Sequence, residues 1–440
     1  MEHSESNRIR GGHMRRGVRT IVAVAVLALV ATACRSSGDG GNGTSGEIKT
    51  GVGVTGQTIT LGELSPLTGP VAVIGKPLTK GHEVYFQYVN EVLGGVGKNL
   101  PADKKFKVEL ETLDTQYVPQ THAEQYGKLK DKVLLIAQSL GTPTTKAILE
   151  QVRADKILTG AATLSSDWLK EKYVIPAGAP YPVQAINAFA YVVNEQKKTP
   201  KVGVIYQDDD YGADGLKGVV YAAGKLNFQI VARATYKPTD TEFVSQVTAM
   251  KNAGADHVFL VTVPSATGGI LGAAAQLKYT PQWIGQSPAW IGALAKSPLA
   301  DYLKAYFWAT GDAACDWGST AAGCDGMKEM VDNLAKYGGG QTPDTYFQFG
   351  YTQAKIVHQI LEKAITMGDL TREGVLKAFE SLSDVDMGGL LNPISYGTKC
   401  EDKVPATGTA IYSVDASAPT GLKRLAAVDD PIVKDFPFCD

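Results

Sequence analysis

Apolar and polar positions along this chain follow two repeating spacings, which predict alternating strands and helices from Gln57 onward. ITLGEL is a short predicted strand, and residues 77–93 carry their apolar side chains on one helical face. KFKVELETL alternates with a period of two and is predicted as a second strand, before a helix near 120–130. VLLIAQS is an uncharged run typical of a strand covered on both faces in a parallel sheet, and it precedes a helix over 144–154 and the strand KILTGA.

The same alternation restarts after YVIPAGAPYP. KVGVIYQ and QIVARATY are predicted strands on either side of a helix over 215–226. The next helix begins with capping-box spacing between Thr239 and Glu242, should end at Gly254, and leads into the strand HVFLVTV. Two runs of strand and helix predict an α/β protein with two lobes, each a parallel sheet flanked by helices.

Three Pro- or Gly-rich stretches are predicted to cross between the lobes: Ile175–Pro182, Gly285–Gly292 and Asp386–Pro393. Three crossings form a hinge and make each lobe discontinuous in sequence. The predicted segments are 57–180 with about 290–388 for lobe 1, and 181–289 with about 389–440 for lobe 2.

The numbers of basic and acidic residues are nearly equal, which bears on binding to nucleic acid. The 440 residues include 43 Lys and Arg against 45 Asp and Glu, a net charge of −2. Because so balanced a chain offers no broad basic face, nucleic acid is not an expected partner. A hydrophobic content of 44% over this length is enough for a large core in at least two lobes.

Residues 1–33 are predicted to be an export signal, with Met1 and Met14 both open as the start. Arginines precede an uncharged apolar run, Thr20–Ala33, that is too short and too poorly flanked for a stable membrane span. The run ends in ATAC, which resembles the bacterial lipobox, although Ala31 stands where Leu is usual. Cys34 is therefore the predicted lipidation site, and an ordinary signal peptide with an incidental Cys is the alternative.

The Ser- and Gly-rich stretch 34–56 is predicted to be a flexible tether, since it has little apolar surface to bury. A lipid at one end and a globular body at the other would hold the protein at the outer face of the cell membrane without crossing it.

Four further cysteines, Cys315, Cys324, Cys400 and Cys439, form an even set that permits three pairings. Cys315 with Cys324 would close a short loop, and Cys400 with Cys439 would tie the C-terminus to the body. Each bond would contribute about 2 to 4 kcal/mol. A metal site is not expected, because the six His are scattered and no CxxC or HExxH spacing is present. No cofactor is expected either.

Several stretches, in order, resemble the bacterial extracellular binding proteins for branched-chain amino acids. They are GELSPLTGPVAVIGKPLTKGHEVYFQYVNE, VIYQDDDYG and DTEFVSQVTAMKNAGADHVFL, and the likeness runs from about Ile59 to about Asp415. The resemblance implies the type I periplasmic binding fold, in which two lobes joined by three hinge crossovers close on a small molecule. It also implies a monomer that delivers its ligand to the permease of an ABC transporter.

Ligands of open parallel sheets bind beyond the carboxyl ends of the strands. The turns at those ends are Ser65–Pro70, Ser139–Thr145, Ala161–Ser165, Asp208–Gly212, Val263–Thr267 and Ser287–Trp290. Gly141 to Thr145 lies where a strand ends and a helix begins, so its free N–H groups and the helix dipole favour an anion. The alternative is that Thr142 only caps its helix.

The resemblance places the α-carboxylate of a ligand at this turn and at the next strand end, and it places a Tyr of the second lobe over the ligand. The carried-over positions are Ser139, Thr142, Thr144, Ala162, Thr163 and Tyr211, and the strand-end turns add Gly141, Ser265 and Trp290 as candidates.

One departure from the family bears on specificity. Amino-acid binders of this family commonly have an acidic residue in the turn that here reads VTVPSATGG, residues 261–269, which has none. Because a buried ammonium without a counter-charge is costly, either another group such as Asp114 serves or the ligand lacks that charge. Tyr181, Trp290 and the 345–351 run would suit an uncharged or aromatic ligand that bears a carboxylate.

The expected function is that of a lipid-anchored, extracytoplasmic binding protein of an ABC importer for a branched-chain amino acid or a similar ligand. One alternative is a binder of a carboxylate, aromatic acid or amide without the ammonium, and another is the sensor subunit of a signalling system. An enzyme is not expected, because GQSPAW is not GxSxG and neither a Walker A motif nor a spaced GxGxxG is present.

Overall fold

The computed structural model describes residues 47–312, 314–403 and 406–440. The predicted signal peptide, Cys34 and the first part of the predicted tether lie outside these residues. The strands are β1 (Lys49–Thr50), β2 (Val54–Thr55), β3 (Thr58–Ser65), β4 (Lys107–Asp114), β5 (Ile136–Leu140), β6 (Thr159–Ala162), β7 (Val174–Ile175), β8 (Lys201–Gln207), β9 (Gln229–Tyr236), β10 (His257–Val261), β11 (Gln282–Gly285), β12 (Phe307–Gly311), β13 (Asp369–Leu370), β14 (Thr409–Val414) and β15 (Leu422–Val428).

The α-helices are α1 (Ala72–Glu91), α2 (Pro119–Leu129), α3 (Thr142–Asp155), α4 (Tyr181–Ala190), α5 (Asp210–Leu226), α6 (Val244–Asn252), α7 (Pro264–Gln276), α8 (Ala300–Tyr306), α9 (Asp325–Tyr337), α10 (Thr345–Thr366) and α11 (Arg372–Glu380). Short 3-10 turns span Ala102–Lys104, Ser166–Lys170, Ser287–Ala289, Gly292–Lys296, Cys400–Asp402 and Pro431–Asp435, and a π turn spans Tyr191–Glu195.

Two large sheets carry these elements. In the first, β4, β3, β5, β6 and β7 lie side by side and parallel, and β2 pairs antiparallel with the start of β3. In the second, β9, β8, β10, β11 and β12 are parallel, and β14 and β15 continue the sheet antiparallel. Helices α1 and α10 pack together beside the first sheet, and α4 and α5 pack together beside the second. The predicted α/β class with parallel sheets flanked by helices is confirmed.

The central strands are buried on both faces. All five residues of β5 and all five of β10 are buried, as expected for strands that have helices on each side of the sheet. Neither strand contains an Asp, Glu, Lys or Arg. This explains why both strands appear in the sequence as runs without charged residues.

The chain passes between the sheets three times. It leaves the first sheet after β7, returns after β12, and leaves again between α11 and β14. The return was predicted at Gly285–Gly292, and this was wrong, because β12 still pairs with β11 through Trp283 and Phe307. The ring of Phe307 packs where a Cβ on Gly285 would stand, 2.6 Å away. The boundary expected near 290 therefore falls after Gly311, since the short strand FWATG gave no extended apolar signal.

The tether was expected to extend to residue 56, but its last part is paired. Strand β1 lies parallel to β13, and β2 forms a hairpin with β3. Gly53 makes this possible, since it has a φ of 81° and a Cβ there would lie 1.9 Å from the Leu134 nitrogen. The folded body therefore begins before Gln57.

Helix starts were the least accurate predictions. Helix α1 begins five residues before Pro77, which lies inside it. Helix α6 begins at Val244 without a side-chain cap, so the predicted capping box of Thr239 and Glu242 was wrong. Thr239 lies outside the helix in a turn, which the Asp240 nitrogen closes by donating to the Lys237 oxygen at 2.9 Å.

The structure contains two disulfide bonds among the described residues, Cys315–Cys324 and Cys400–Cys439, and this selects one of the three possible pairings. In the same part of the chain, no helix has the length and apolar content needed to cross a bilayer.

Candidate functional site

A cavity of about 390 Å³ is lined by residues from both sheets and from the connections between them. Leu140 and Ala162, at the ends of β5 and β6, lie on one side, and Val263 and Gly311 follow or end strands of the second sheet. The carboxyl ends of the two sets of parallel strands thus meet at this cavity, where the sequence predicted a ligand site.

Six of the nine predicted ligand residues line the cavity, namely Gly141, Thr142, Ala162, Thr163, Tyr211 and Trp290. The other three do not. Ser139 is buried against His122 and Thr145 at 2.9 and 2.8 Å, and the Thr144 hydroxyl donates to the backbone oxygen of Leu140 at 2.5 Å. Ser265 is exposed to solvent.

The turn at the start of α3 is built around Gly141. Its φ is 103°, and a Cβ would lie 2.5 Å from a ring carbon of Tyr117 and 2.6 Å from the Thr144 hydroxyl. Glycine is therefore required both for the backbone conformation and for the space. No side chain caps α3, so no side chain occupies the free N–H groups of its first turn. The alternative that Thr142 only caps this helix is wrong, because Thr142 is the first helical residue and its hydroxyl bonds elsewhere.

Three hydroxyls form a chain on the wall of the cavity. The Thr142 and Thr163 oxygens are 2.6 Å apart, and the Thr163 and Tyr181 oxygens are 3.2 Å apart. Burial raises the pKa of Tyr181 to about 12, so this phenol stays protonated. Three O–H groups joined by two hydrogen bonds leave one proton to donate. Together with the uncapped turn of α3, this chain can hold an anionic oxygen.

Three aromatic side chains on the wall have polar atoms that are bonded to the protein. The Tyr211 hydroxyl donates to the Thr262 backbone oxygen at 3.1 Å, and Trp290 Nε1 donates to the Thr420 backbone oxygen at 3.0 Å. The Tyr346 hydroxyl likewise donates to a backbone carbonyl at 2.8 Å. Most of the wall is consequently apolar, although several of its residues carry polar atoms.

Asp312 is a cavity residue that the sequence did not predict. One carboxylate oxygen accepts from the Ala179 nitrogen at 3.3 Å, two residues before Tyr181. Burial raises the pKa of Asp312 to about 6. No signal could have found it, because it follows β12, which the sequence did not reveal as a strand.

Asp114 and two acidic residues of the Asp208–Gly212 turn have structural partners. Asp114 accepts from the Thr68 hydroxyl at 2.6 Å and from backbone nitrogens, and it is not among the cavity residues. Asp209 caps α5, and Asp210 pairs with Lys146 at 2.9 Å. Among the residues with described positions, no cluster of His, Cys, Asp or Glu is arranged to hold a metal ion.

This chain is similar to known binding proteins in both sequence and structure. The sequence profile of a family described as periplasmic binding protein matches residues 58–419. The Leu/Ile/Val-binding protein homolog 3 of Brucella melitensis is 27% identical over 226 residues, which are 48% of this chain and 56% of that protein. The chain thus matches little more than half the length of this curated relative.

Two solved structures with different ligands in their names are similar to this chain. A fatty acid ABC transporter substrate-binding protein from Thermomonospora curvata superposes with a TM-score of 0.80 at 29% identity, covering 88% of this chain and 97% of its own. A branched chain amino acid ABC transporter protein from Thermus thermophilus with bound valine has a TM-score of 0.73 at 18% identity, covering 87% and 99%. The second likeness establishes the fold alone.

Proposed function

The chain belongs to the periplasmic binding protein family, and we propose that it is the extracytoplasmic solute-binding protein of an ABC importer. In this proposal a monomer binds one small molecule between its two lobes, which close about the three connections, and delivers it to the permease. The proposal includes a lipoprotein signal over 1–33, lipidation of Cys34 and a tether to the membrane surface. The names of the relatives, which are binding proteins, support transport over the sensor alternative.

The ligand we propose has a carboxylate head and an apolar body without an ammonium group. The observation that carries this is the uncapped start of α3 beside the Thr142, Thr163 and Tyr181 hydroxyls, in a cavity that is otherwise largely apolar. A carboxylate accepts hydrogen bonds from these donors and is stabilised by the helix N-terminus. An ammonium would find no acid in the 261–269 turn, where the family commonly has one.

A branched-chain amino acid is the second candidate, and Asp312 is the observation in its favour. Its carboxyl lies on the cavity wall, accepts from Ala179 and is not paired with a cation at that contact. An ionised Asp312 would offset the cost of burying an ammonium. Burial raises the pKa of Asp312 to about 6, so near and below that pH an ammonium ligand would first have to ionise this carboxyl, which would weaken its binding.

The two candidates differ in one group, so a matched ligand pair separates them. Leucine and 4-methylpentanoate share the carboxylate and the branched tail, and only leucine has the ammonium. We expect 4-methylpentanoate to raise the melting temperature of the purified protein more than leucine, since ligand binding stabilises the native state by about 2.7 kcal/mol at a hundredfold the dissociation constant. A larger shift with leucine would favour the amino acid, and no shift with any carboxylate would refute the proposed ligand class.

A further inference from the structure

The lining of the cavity also includes a second group of side chains, which we call the tail wall. It is formed by Trp317 of the second connection, Phe349 of α10, Leu390 and Leu391 of the third connection, and Leu422 of β15. None of these residues belongs to a strand-end turn of the parallel sheets. The Trp317 indole nitrogen is the one polar atom among their side chains.

We propose that the tail wall is a subsite for an unbranched alkyl chain, so that the ligand is an alkyl carboxylate longer than a branched-chain amino acid. This inference rests on the proposed carboxylate site, which would hold the head of the same molecule. Continuity carries the first step, because the hydroxyl chain and the tail wall line one cavity.

The size of the cavity carries the second step. A volume of about 390 Å³ lies within the range of roughly 300 to 1,000 Å³ in which proteins enclose drug-sized ligands. A ligand with only a four-carbon branched tail would leave apolar surface at Trp317 and Leu422 facing water. An alkyl chain that reaches these side chains would remove that surface from water instead.

The tail wall is also held in place before any ligand binds. The Cys315 nitrogen donates to the Gly389 oxygen at 2.8 Å, and the Gln348 side chain donates to the Leu390 oxygen at 3.3 Å. A Cβ on Gly389 would lie 2.2 Å from the Cys315 sulfur, so glycine lets the two connections touch. The disulfide of Cys315 closes the loop that carries Trp317. These contacts hold the backbone of the second and third connections together beside the tail wall, which lowers the cost of ordering it when a ligand binds.

Two charged side chains of the same region form an ion pair. Asp316 Oδ1 and Arg424 Nε are 2.6 Å apart, and this pair joins the second connection to β15 beside Trp317 and Leu422. Because these two charges offset each other, the pair attracts a carboxylate less than a single cation would. Asp415 and Lys423 also line the cavity.

The test is a titration of the purified protein by calorimetry with the straight-chain acids from butanoate to dodecanoate, each below its micelle concentration. Each methylene that enters the subsite should raise the affinity about four-fold, which corresponds to about 0.8 kcal/mol, until the subsite is full. Affinity that stays constant beyond pentanoate would overturn the inference.

Two variants separate the head from the tail. Thr142→Val should weaken every acid by the same factor, because it alters only the head contacts. Trp317→Ala should leave butanoate unchanged and reduce the gain per methylene for the longer acids. Leu425→Ser is the matched surface control, since Leu425 lies on β15 near Leu422 but is 45% exposed, and it should change neither quantity.

The outcomes distinguish the two proposals. Binding of short acids without any chain-length dependence would refute the tail subsite and leave the carboxylate site intact. Binding of no acid at all would refute both. Chain-length dependence that neither Thr142→Val nor Trp317→Ala alters would indicate adsorption elsewhere on the surface and would also refute the subsite. Because Trp317 is in a loop, a folded Trp317→Ala variant is expected, and the change in wild-type tryptophan fluorescence on binding provides a readout without substitution.

Discussion

Because of Asp312, the affinities for the two candidate ligands should depend on pH in opposite directions. Its pKa is raised from 3.8 to about 6 by burial, so it is mostly neutral near pH 5 and ionised near pH 8. A bound carboxylate would disfavour the ionised form and raise this pKa further. Affinity for an alkyl carboxylate should therefore rise as the pH falls through about 7, by about ten-fold for each unit by which binding raises the pKa. An ammonium ligand should show the reverse.

The substitution Asp312→Asn keeps the size and a carbonyl acceptor for Ala179 and removes the titration. The variant should bind 4-methylpentanoate at pH 8 as tightly as the wild type does near pH 5, with a flat pH profile. Calorimetric titrations at several pH values measure this directly. If Asp312→Asn weakens a carboxylate ligand at every pH, or if the wild-type profile is flat, then Asp312 does not face the ligand as argued.

The same residue affects stability without ligand. A folded-state pKa above the unfolded value means that the folded state holds the proton more tightly, so stability falls as the pH rises from about 4 to about 6. Because the pKa rises by about two, the free energy of unfolding should fall by at most about 3 kcal/mol. Denaturant melts of the wild type and Asp312→Asn should differ across this window by up to that amount, with the variant more stable above it. Equal pH slopes would contradict the assignment.

Three further substitutions test the frame of the site. Gly141→Ala should abolish carboxylate binding and lower the melting temperature, because the new Cβ would lie 2.5 Å from a ring carbon of Tyr117. Normal binding by this variant in a calorimetric titration would contradict the prediction. Replacing both Cys400 and Cys439 with Ser should lower the free energy of unfolding in denaturant by about 2 to 4 kcal/mol, and an unchanged midpoint would show that this bond adds nothing. Glu63→Ala should lower the free energy of unfolding by about 1 to 3 kcal/mol in the same assay, because it removes the carboxylate that accepts from the Thr112 hydroxyl and lies 3.1 Å from the buried His82.

The sequence predicted the parallel strands well because their burial on both faces removes charged residues from them. It also placed Thr142 and Thr163 together, since β5 and β6 are neighbours and their ends meet. It did not predict which way each side chain turns. Ser139 points to His122 on the far side of β5, and the Thr144 hydroxyl folds back onto its own turn.

The remaining part of the site was not predictable from local patterns. Asp312, Trp317, Leu390 and Leu391 lie on connections whose path is set by a disulfide, a glycine contact and the pairing of β12 with β11. None of these long-range contacts leaves a periodic signal in the sequence. The residues we propose to select the ligand therefore emerge only from the three-dimensional arrangement.

In the proposed complex, the α3 turn and the three-hydroxyl chain hold the carboxylate head of the ligand. The most direct test is a crystal structure of the protein with 4-methylpentanoate or octanoate. We expect carboxylate oxygens within about 3.2 Å of the Thr142 or Tyr181 hydroxyl and of a backbone nitrogen in the first turn of α3. A ligand whose carboxylate lies at Asp316 and Arg424, with its tail toward Thr142, would contradict it.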